Sequence, residues 1–294
     1  MKPVFDLVIF GGSGDLSMRK LLPAMYRAHQ QGNVPDGSRI MVCCRKQGDF
    51  DEMKNTIEEK LKTFLKEGEF NDQQWQMFST VIEPVLLDLV DLNKGWDEFA
   101  GLFNDCEDRV RVFYLAVMPS IYGSCCENLS KKNLISSLSR IVVEKPLGYD
   151  LTSAEAINQT MAEYFKEQHI YRIDHYLGKE TVQNLLTLRF SNFLFENMWD
   201  SKAIDNIQIS ICEQVGLEGR AGFYDDVGAM RDMVQNHLLQ LLCLLAIDSP
   251  NQLTSEAIRL EKIKVLQALK PMDTDAIDDS IVRGQYVSGV IDNK

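Results

Sequence analysis

The sequence predicts an α/β protein whose first half is a doubly wound parallel sheet, and three observations carry that prediction. Short β-rich runs alternate with helical ones from Val4 to Ile173. Near His175 the alternation stops and a different pattern begins. The 294 residues are enough for one large domain or two ordinary ones, and 45% hydrophobic with 25% charged residues is the balance of a folded chain. Alternation of this kind implies right-handed βαβ units and a sheet covered on both faces. The expected division is a first domain over 1–175 and a second over 176–294.

The elements follow in order. Residues 4–10 form an apolar run ending in glycines, hence a first strand, and 16–30 have helical spacing. Residues 39–44 are a second strand, followed by a charged helix over 51–66. Runs 81–87, 111–116 and 140–144 are further strands, separated by helical stretches 96–104 and 121–129. A helix after Asp150 runs to Phe165, and the strand-like piece 169–173 closes the series. In the second half a helix follows Gly178, and 204–212 alternates as a strand does. A glycine-containing loop spans 216–222, and 227–247 reads as one long, mostly apolar helix. Another helix covers 252–269, and 280–287 begins something strand-like.

Composition removes several function classes. A net charge of −12 makes nucleic acids and anionic membranes poor partners, while leaving room for a small anion in a local basic pocket. The longest apolar run, 238–247, is too short to span about 30 Å of hydrocarbon, and no secretory signal precedes the first strand. Seven cysteines make no C-x-x-C and no zinc-like spacing with the four histidines, which predicts free thiols, a cytoplasmic location and no metal.

The first strand ends in Phe10-Gly11-Gly12-Ser13-Gly14-Asp15-Leu16 and a helix follows, the setting a dinucleotide-binding turn requires. Gly12 and Gly14 fit G-x-G-x-x-G with Ser17 in third place; a plain strand-to-helix connection is the competing reading. The second strand ends in Arg45 and Lys46, where proteins preferring the unphosphorylated cofactor carry an acid. A guanidinium there suits a 2′-phosphate, so the turn points to NADP, against the alternative of a solvated arginine.

Histidines supply the rest. His29 and His169 read as packing or capping residues. His175 and Lys179 stand four apart, one turn of a helix, and with Tyr176 and Arg172 make a set of donors for a phosphate monoester. His237 lies among polar residues on the apolar helix, either as a satisfied core histidine or as a base of the kind hydride removal from an alcohol needs. Asp232, five residues away, falls well around an α-helix from it, so the orienting carboxylate is sought elsewhere and Asp174 is the candidate.

Together, residues 10–16, Glu144-Lys145-Pro146-Leu147-Gly148, the segment Arg172 to Glu180 and the segment Arg231 to Gln240 resemble the signature segments of the glucose-6-phosphate dehydrogenases, bacterial type, across nearly the whole chain. The resemblance implies oxidation of β-D-glucose 6-phosphate at C1 by NADP⁺ to 6-phosphoglucono-1,5-lactone, the entry step of the pentose phosphate pathway. It implies His237 as general base and Asp174 as its orienting partner. His175, Tyr176 and Lys179 would hold the 6-phosphate, Glu213 and Asp232 the sugar hydroxyls, and Lys145 would lie between sugar and cofactor. Gly11, Gly12, Ser13, Gly14, Asp15, Leu16, Ser17 and Arg45 match the cofactor segment, and Asp88, Leu89 and Tyr122 match further cofactor positions. The family also implies homo-oligomers and a large antiparallel sheet extending beyond position 294, so this chain is expected to be C-terminally truncated, with an incomplete α+β domain and impaired turnover. Two alternatives belong to other classes: a different NAD(P)-dependent sugar dehydrogenase, and a non-catalytic NADP-binding fragment.

Overall fold

Six strands, β1 (Phe5–Phe10), β2 (Arg39–Cys44), β3 (Ile82–Leu86), β4 (Val110–Leu115), β5 (Ser139–Val143) and β6 (Ile170–Arg172), form one sheet in the order β3-β2-β1-β4-β5-β6. Every neighbouring pair is parallel. This is a computed structural model; it describes residues 2–45, 50–104, 106–145, 147–148, 150–196, 198–212, 216, 221–273, 277 and 279–287. The chain divides into two units, Met1–His175 with Asp225–Asp232, and Tyr176–Tyr224 with Met233–Lys294.

The strands are apolar on consecutive residues because the sheet is buried on both faces. Val8 and Phe10 of β1 pack with Met41, Cys43, Phe113 and Leu115 on one face. Ile9 packs with Ile40 and Val42 on the other. Helices α1 (Leu22–Gln30), α2 (Phe50–Phe64) and α3 (Asp72–Val81) cover the second face through Leu22, Tyr26, Ile57, Leu61, Trp75 and Phe78. Helices α4 (Trp96–Gly101), α5 (Tyr122–Lys131) and α6 (Leu151–Ala162) cover the first through Trp96, Phe99, Cys125, Leu129 and Met161. Each such side chain is worth about 1.5–3 kcal/mol in burial. Pro84 is tolerated because β3 is an edge strand. At the amino end of the sheet the buried Asp6 carboxylate is gripped by Arg39 at 2.8 and 2.9 Å and by Arg109 at 2.9 Å. The carboxyl ends of the strands are left for the glycine turn.

The second unit contains α7 (Glu180–Phe190), α8 (Phe193–Glu196), α10 (Leu239–Ala246) and α11 (Ser255–Ala268), with α9 (Ala221–Ala229) and a π-helical segment (Met230–Leu238) shared along the chain with the first. Buried Arg189 donates to the carbonyls of Leu244 and Ile247, both at 2.7 Å, and Trp199 Nε1 donates to that of Leu245 at 2.8 Å. These bonds satisfy the free carbonyls at the end of α10.

The α/β class and the sheet agree with the sequence; several local expectations do not. Helix α3 was not expected; the Asn71 side chain opens it by accepting from the Gln74 amide at 3.0 Å. Residues 204–212 and 281–287 are irregular, not strands: alternation supplies an apolar face, but a strand also needs a neighbour to complete its ladder, and none pairs with them among the described residues. The single helix over 227–247 is instead broken at Gly228 (φ 69°, ψ 171°) and continues as the π-helical segment before α10. The chain from His175 to Gly178 is a 3₁₀ turn, and Lys179 caps α7 with extended backbone, so His175 and Lys179 do not share one α-helical turn. A second π-helical stretch, Ser17–Leu21, begins the first helix.

Candidate functional site

In the first unit the glycine turn sits where strand order reverses between β1 and β4, the place where open parallel sheets take ligands. Gly11 has φ +81°, and a Cβ there would lie 2.5 Å from the Ala116 carbonyl oxygen. A Cβ on Gly12 would lie 2.4 Å from Val42 Cγ1, and its amide donates to the Cys43 carbonyl at 2.8 Å. The Gly14 amide donates to the Gly11 carbonyl at 2.9 Å. Ser17, in the place of a third glycine, is buried and donates its hydroxyl to the same carbonyl at 3.1 Å. The turn is thus folded back on itself and clamped to β2.

Beside it opens a cleft of about 410 Å³ lined by Gly11, Ser13, Gly14, Arg45, Asp88 and Leu89 among others. Arg45 is exposed at its rim. Asp88 accepts from the amides of Val90 at 3.0 Å and Asp91 at 3.2 Å. The Val90 amide above all, with the charges of Lys94 and Arg45 adding, holds its carboxyl below the usual range. Gly12, Asp15, Leu16, Ser17, Tyr122 and Lys145 do not line the cleft. Tyr122 is buried, and its hydroxyl donates to the Glu144 carbonyl at 3.4 Å; burial raises its pKa to about 12. Free space, glycines that admit close approach and a cation at the rim together fit a dinucleotide with an extra phosphate.

Lys145, on the turn after β5, donates through Nζ to the Asp232 carboxylate at 3.2 Å and to the Asp232 carbonyl at 3.1 Å. The Tyr114 hydroxyl donates to the carboxylate of the preceding Glu144. Burial first, and that bond second, push the Tyr114 phenol well above its usual range, so it stays a donor. This pair was not singled out from the sequence. Its signal is positional: Tyr114 is the last polar residue of β4, and Glu144 directly follows the neighbouring β5.

In the second unit, His237 is fully buried in the π-helical segment. Its ring stacks on that of buried Tyr176, with centroids 4.2 Å apart and planes 23° from parallel. Lys179 Nζ lies 3.5 Å from the Tyr176 ring centroid. The structure therefore brings Tyr176, Lys179 and His237 together, and separately Lys145 and Asp232. His175 is exposed and Asp174 half-buried on the turn following β6. Arg172 is engaged by Asn158 at 3.1 and 2.8 Å and by Glu167 at 2.8 Å. The segment from Met230 to Leu238 is π-helical, so the α-helical angle between Asp232 and His237 does not apply to it. Glu213, Pro146 and Lys46 lie outside the described residues.

Comparison with known proteins shows the family. The family model for the glucose-6-phosphate dehydrogenase NAD binding domain matches residues 8–184, and that for the C-terminal domain matches 186–294. The chain belongs to the glucose-6-phosphate dehydrogenase family. Glucose-6-phosphate 1-dehydrogenase of Rhizobium meliloti (strain 1021) is 48% identical over 97% of this chain and 58% of its own length. The Gluconobacter oxydans (strain 621H) enzyme is 45% identical over 99% of this chain and 60% of its own. The chain thus spans about three fifths of the length of the curated relatives it matches. The crystal structure of the Mycobacterium avium enzyme superposes with a TM-score of 0.85 at 32% identity, over 93% of this chain and 58% of that one. A glucose-6-phosphate dehydrogenase in complex with its substrate, glucose 6-phosphate, gives a TM-score of 0.84 at 33% identity, over 96% of this chain and 63% of that one. Among the described residues of this family member, no helix is long and apolar enough to cross a membrane. All seven cysteines are free thiols.

Proposed function

We propose that this chain is the nucleotide-binding domain (1–175) and the first part of the substrate and dimerisation domain (176–294) of an enzyme that oxidises β-D-glucose 6-phosphate at C1, using NADP⁺. The observation that carries the reading is the combination, in one family member, of a glycine cleft with Arg45 at its rim and a buried His237 stacked on the Tyr176 ring, which Lys179 also meets.

The chemistry assigned to the residues is simple. The turn from Gly11 to Ser17 and the rim formed by Arg45, Asp88 and Leu89 would hold NADP⁺, with Tyr122 a further cofactor position and Lys145 between cofactor and sugar. When bound, that cofactor accepts the hydride leaving C1. His237 takes the proton of the C1 hydroxyl, and Asp174 orients its imidazole and stabilises the charged form. His175, Tyr176 and Lys179 hold the 6-phosphate, and Glu213, Asp232 and Lys145 bind the sugar face. Most of the rate then comes from fixed orientation of donor carbon, base and acceptor. Free thiols and the family's metabolic role support a cytoplasmic location, and family membership supports a homo-oligomer, which sedimentation of the purified protein would measure.

The test is nicotinamide reduction with a panel of free sugars and sugar phosphates. Turnover with glucose 6-phosphate and NADP⁺, slowed roughly 10²–10⁴-fold by His237→Asn while Lys179→Ala chiefly raises KM, is the expected result. Preference for a free sugar would place the chain with other sugar dehydrogenases. Stabilisation by NADP⁺ without reduction of it on any sugar would leave a binding module.

A further inference from the structure

Tyr176 is counted among the phosphate ligands on the strength of its hydroxyl, but its ring is the better-defined part of the arrangement. One face lies against His237, 4.2 Å between centroids and 23° from parallel, and Lys179 Nζ stands 3.5 Å from the ring centroid. Tyr176 and His237 are both buried, while Lys179 is exposed. The backbone builds this deliberately. The 3₁₀ turn His175–Gly178 carries Tyr176, and the Lys179 amide donates to the Tyr176 carbonyl at 3.1 Å, so the cation is delivered to the ring by the turn that holds it. An imidazole's second torsion is broad, and hydrogen bonds to its nitrogens leave the ring free to rock about them. A flat aromatic wall removes that freedom, and the negative face of a phenol ring attracts a cation.

We propose that the ring of Tyr176 is a positioning residue for His237: it fixes the plane of the imidazole, and it ties that plane to Lys179 at the phosphate end of the site. The inference rests on the reading of His237 as the base and Lys179 as a phosphate ligand. It adds that one aromatic ring makes the orientation of the base depend on the same side chain that touches the phosphate ligand. Truncating the ring therefore impairs the chemical step, whereas removing only the hydroxyl impairs phosphate affinity.

Histidine-selective labelling of the full chain tests the orientation without needing turnover. Stacking predicts that one of the four histidine ring signals, identified by its loss in His237→Asn, is shifted upfield by the phenol ring. That shift should survive in Tyr176→Phe and vanish in Tyr176→Leu. A wild-type His237 signal with no upfield shift, or one unmoved by Tyr176→Leu, would overturn the proposal. Should the leucine variant not fold, the wild-type signal and its survival in Tyr176→Phe decide alone. Kinetics supply the second arm. The tyrosine-to-phenylalanine step should fall mainly on KM, and the further step to leucine on kcat, by roughly tenfold to a hundredfold. Equal kcat for the phenylalanine and leucine variants would refute the positioning role. A His237→Asn variant with parent turnover would instead refute the base assignment, and the labelling result would still report on the stack.

Discussion

In the proposed NADP⁺ site, Arg45 is the residue on which cofactor choice turns. It is exposed at the rim of the cleft, on the strand end where an acid would serve a free ribose hydroxyl, and Asp88 beside it is already occupied by two backbone amides. Its guanidinium is therefore the group placed to meet a 2′-phosphate. Arg45→Ala should weaken NADP⁺ by the worth of a charge-assisted contact, about 1.5–3 kcal/mol, and leave NAD⁺ nearly unchanged. Calorimetric titration with both cofactors decides it, and equal losses would mean that Arg45 does not read the phosphate. Its place at the cleft was legible in the sequence because it directly follows a strand end. His237 was legible only as a polar residue on an apolar helix; nothing in its neighbours along the chain announced the Tyr176 ring, which is brought to it by folding from 61 residues away.

At the scale of elements, two glycines carry different constraints, and the same substitution separates them. Gly12 is pressed against β2, where a Cβ would meet Val42 Cγ1 at 2.4 Å and the Cys43 backbone at 3.1 Å. Gly228 has open space around its Cα, but its φ of 69° with ψ of 171° lies where only glycine is comfortable. Gly12→Ala should cost about 1–3 kcal/mol by overpacking and move the turn off β2, so both the melting temperature and its rise with NADP⁺ fall. Gly228→Ala should cost about 1–3 kcal/mol through backbone strain while the NADP⁺-induced rise persists. Melting curves with and without cofactor distinguish them; an undiminished cofactor response in Gly12→Ala would remove the turn from the binding site. The sheet itself was readable because strands buried on both faces must be apolar throughout. Helix α3 was not, since only Trp75 and Phe78 of its ten residues are buried, amid Gln, Ser and Thr. The π-helical segment left no mark either: its i→i+5 register changes which residues share a face, not which residues are apolar. Residues 204–212 were over-read for the opposite reason, a face without a ladder.

Across the whole molecule, burial is uneven, and stability should follow it. The first unit holds two clusters of buried side chains, one on each face of the sheet. In the second, α11 has no buried residue, Phe193 and Leu194 of α8 are 77% and 72% exposed, and Val282 is entirely exposed. Opening free energy follows the apolar contacts an element would lose, so segments with few of them exchange their amide protons through local rather than global unfolding. Hydrogen exchange should therefore be slow through β1 to β6 and the helices packed on them, and fast in α8, α11 and 281–287. Helix α10, held by Arg189 and Trp199, should be intermediate. NADP⁺ at about a hundred times its Kd would add roughly 2.7 kcal/mol to whatever unfolding exposes its site. That extra protection should spread through the first unit, whose strands share one core, and leave α11 and 281–287 unchanged. Protection that is uniform along the chain, or a cofactor effect equally strong in α11, would show that the two units unfold as one and that the exposed side chains are covered in solution.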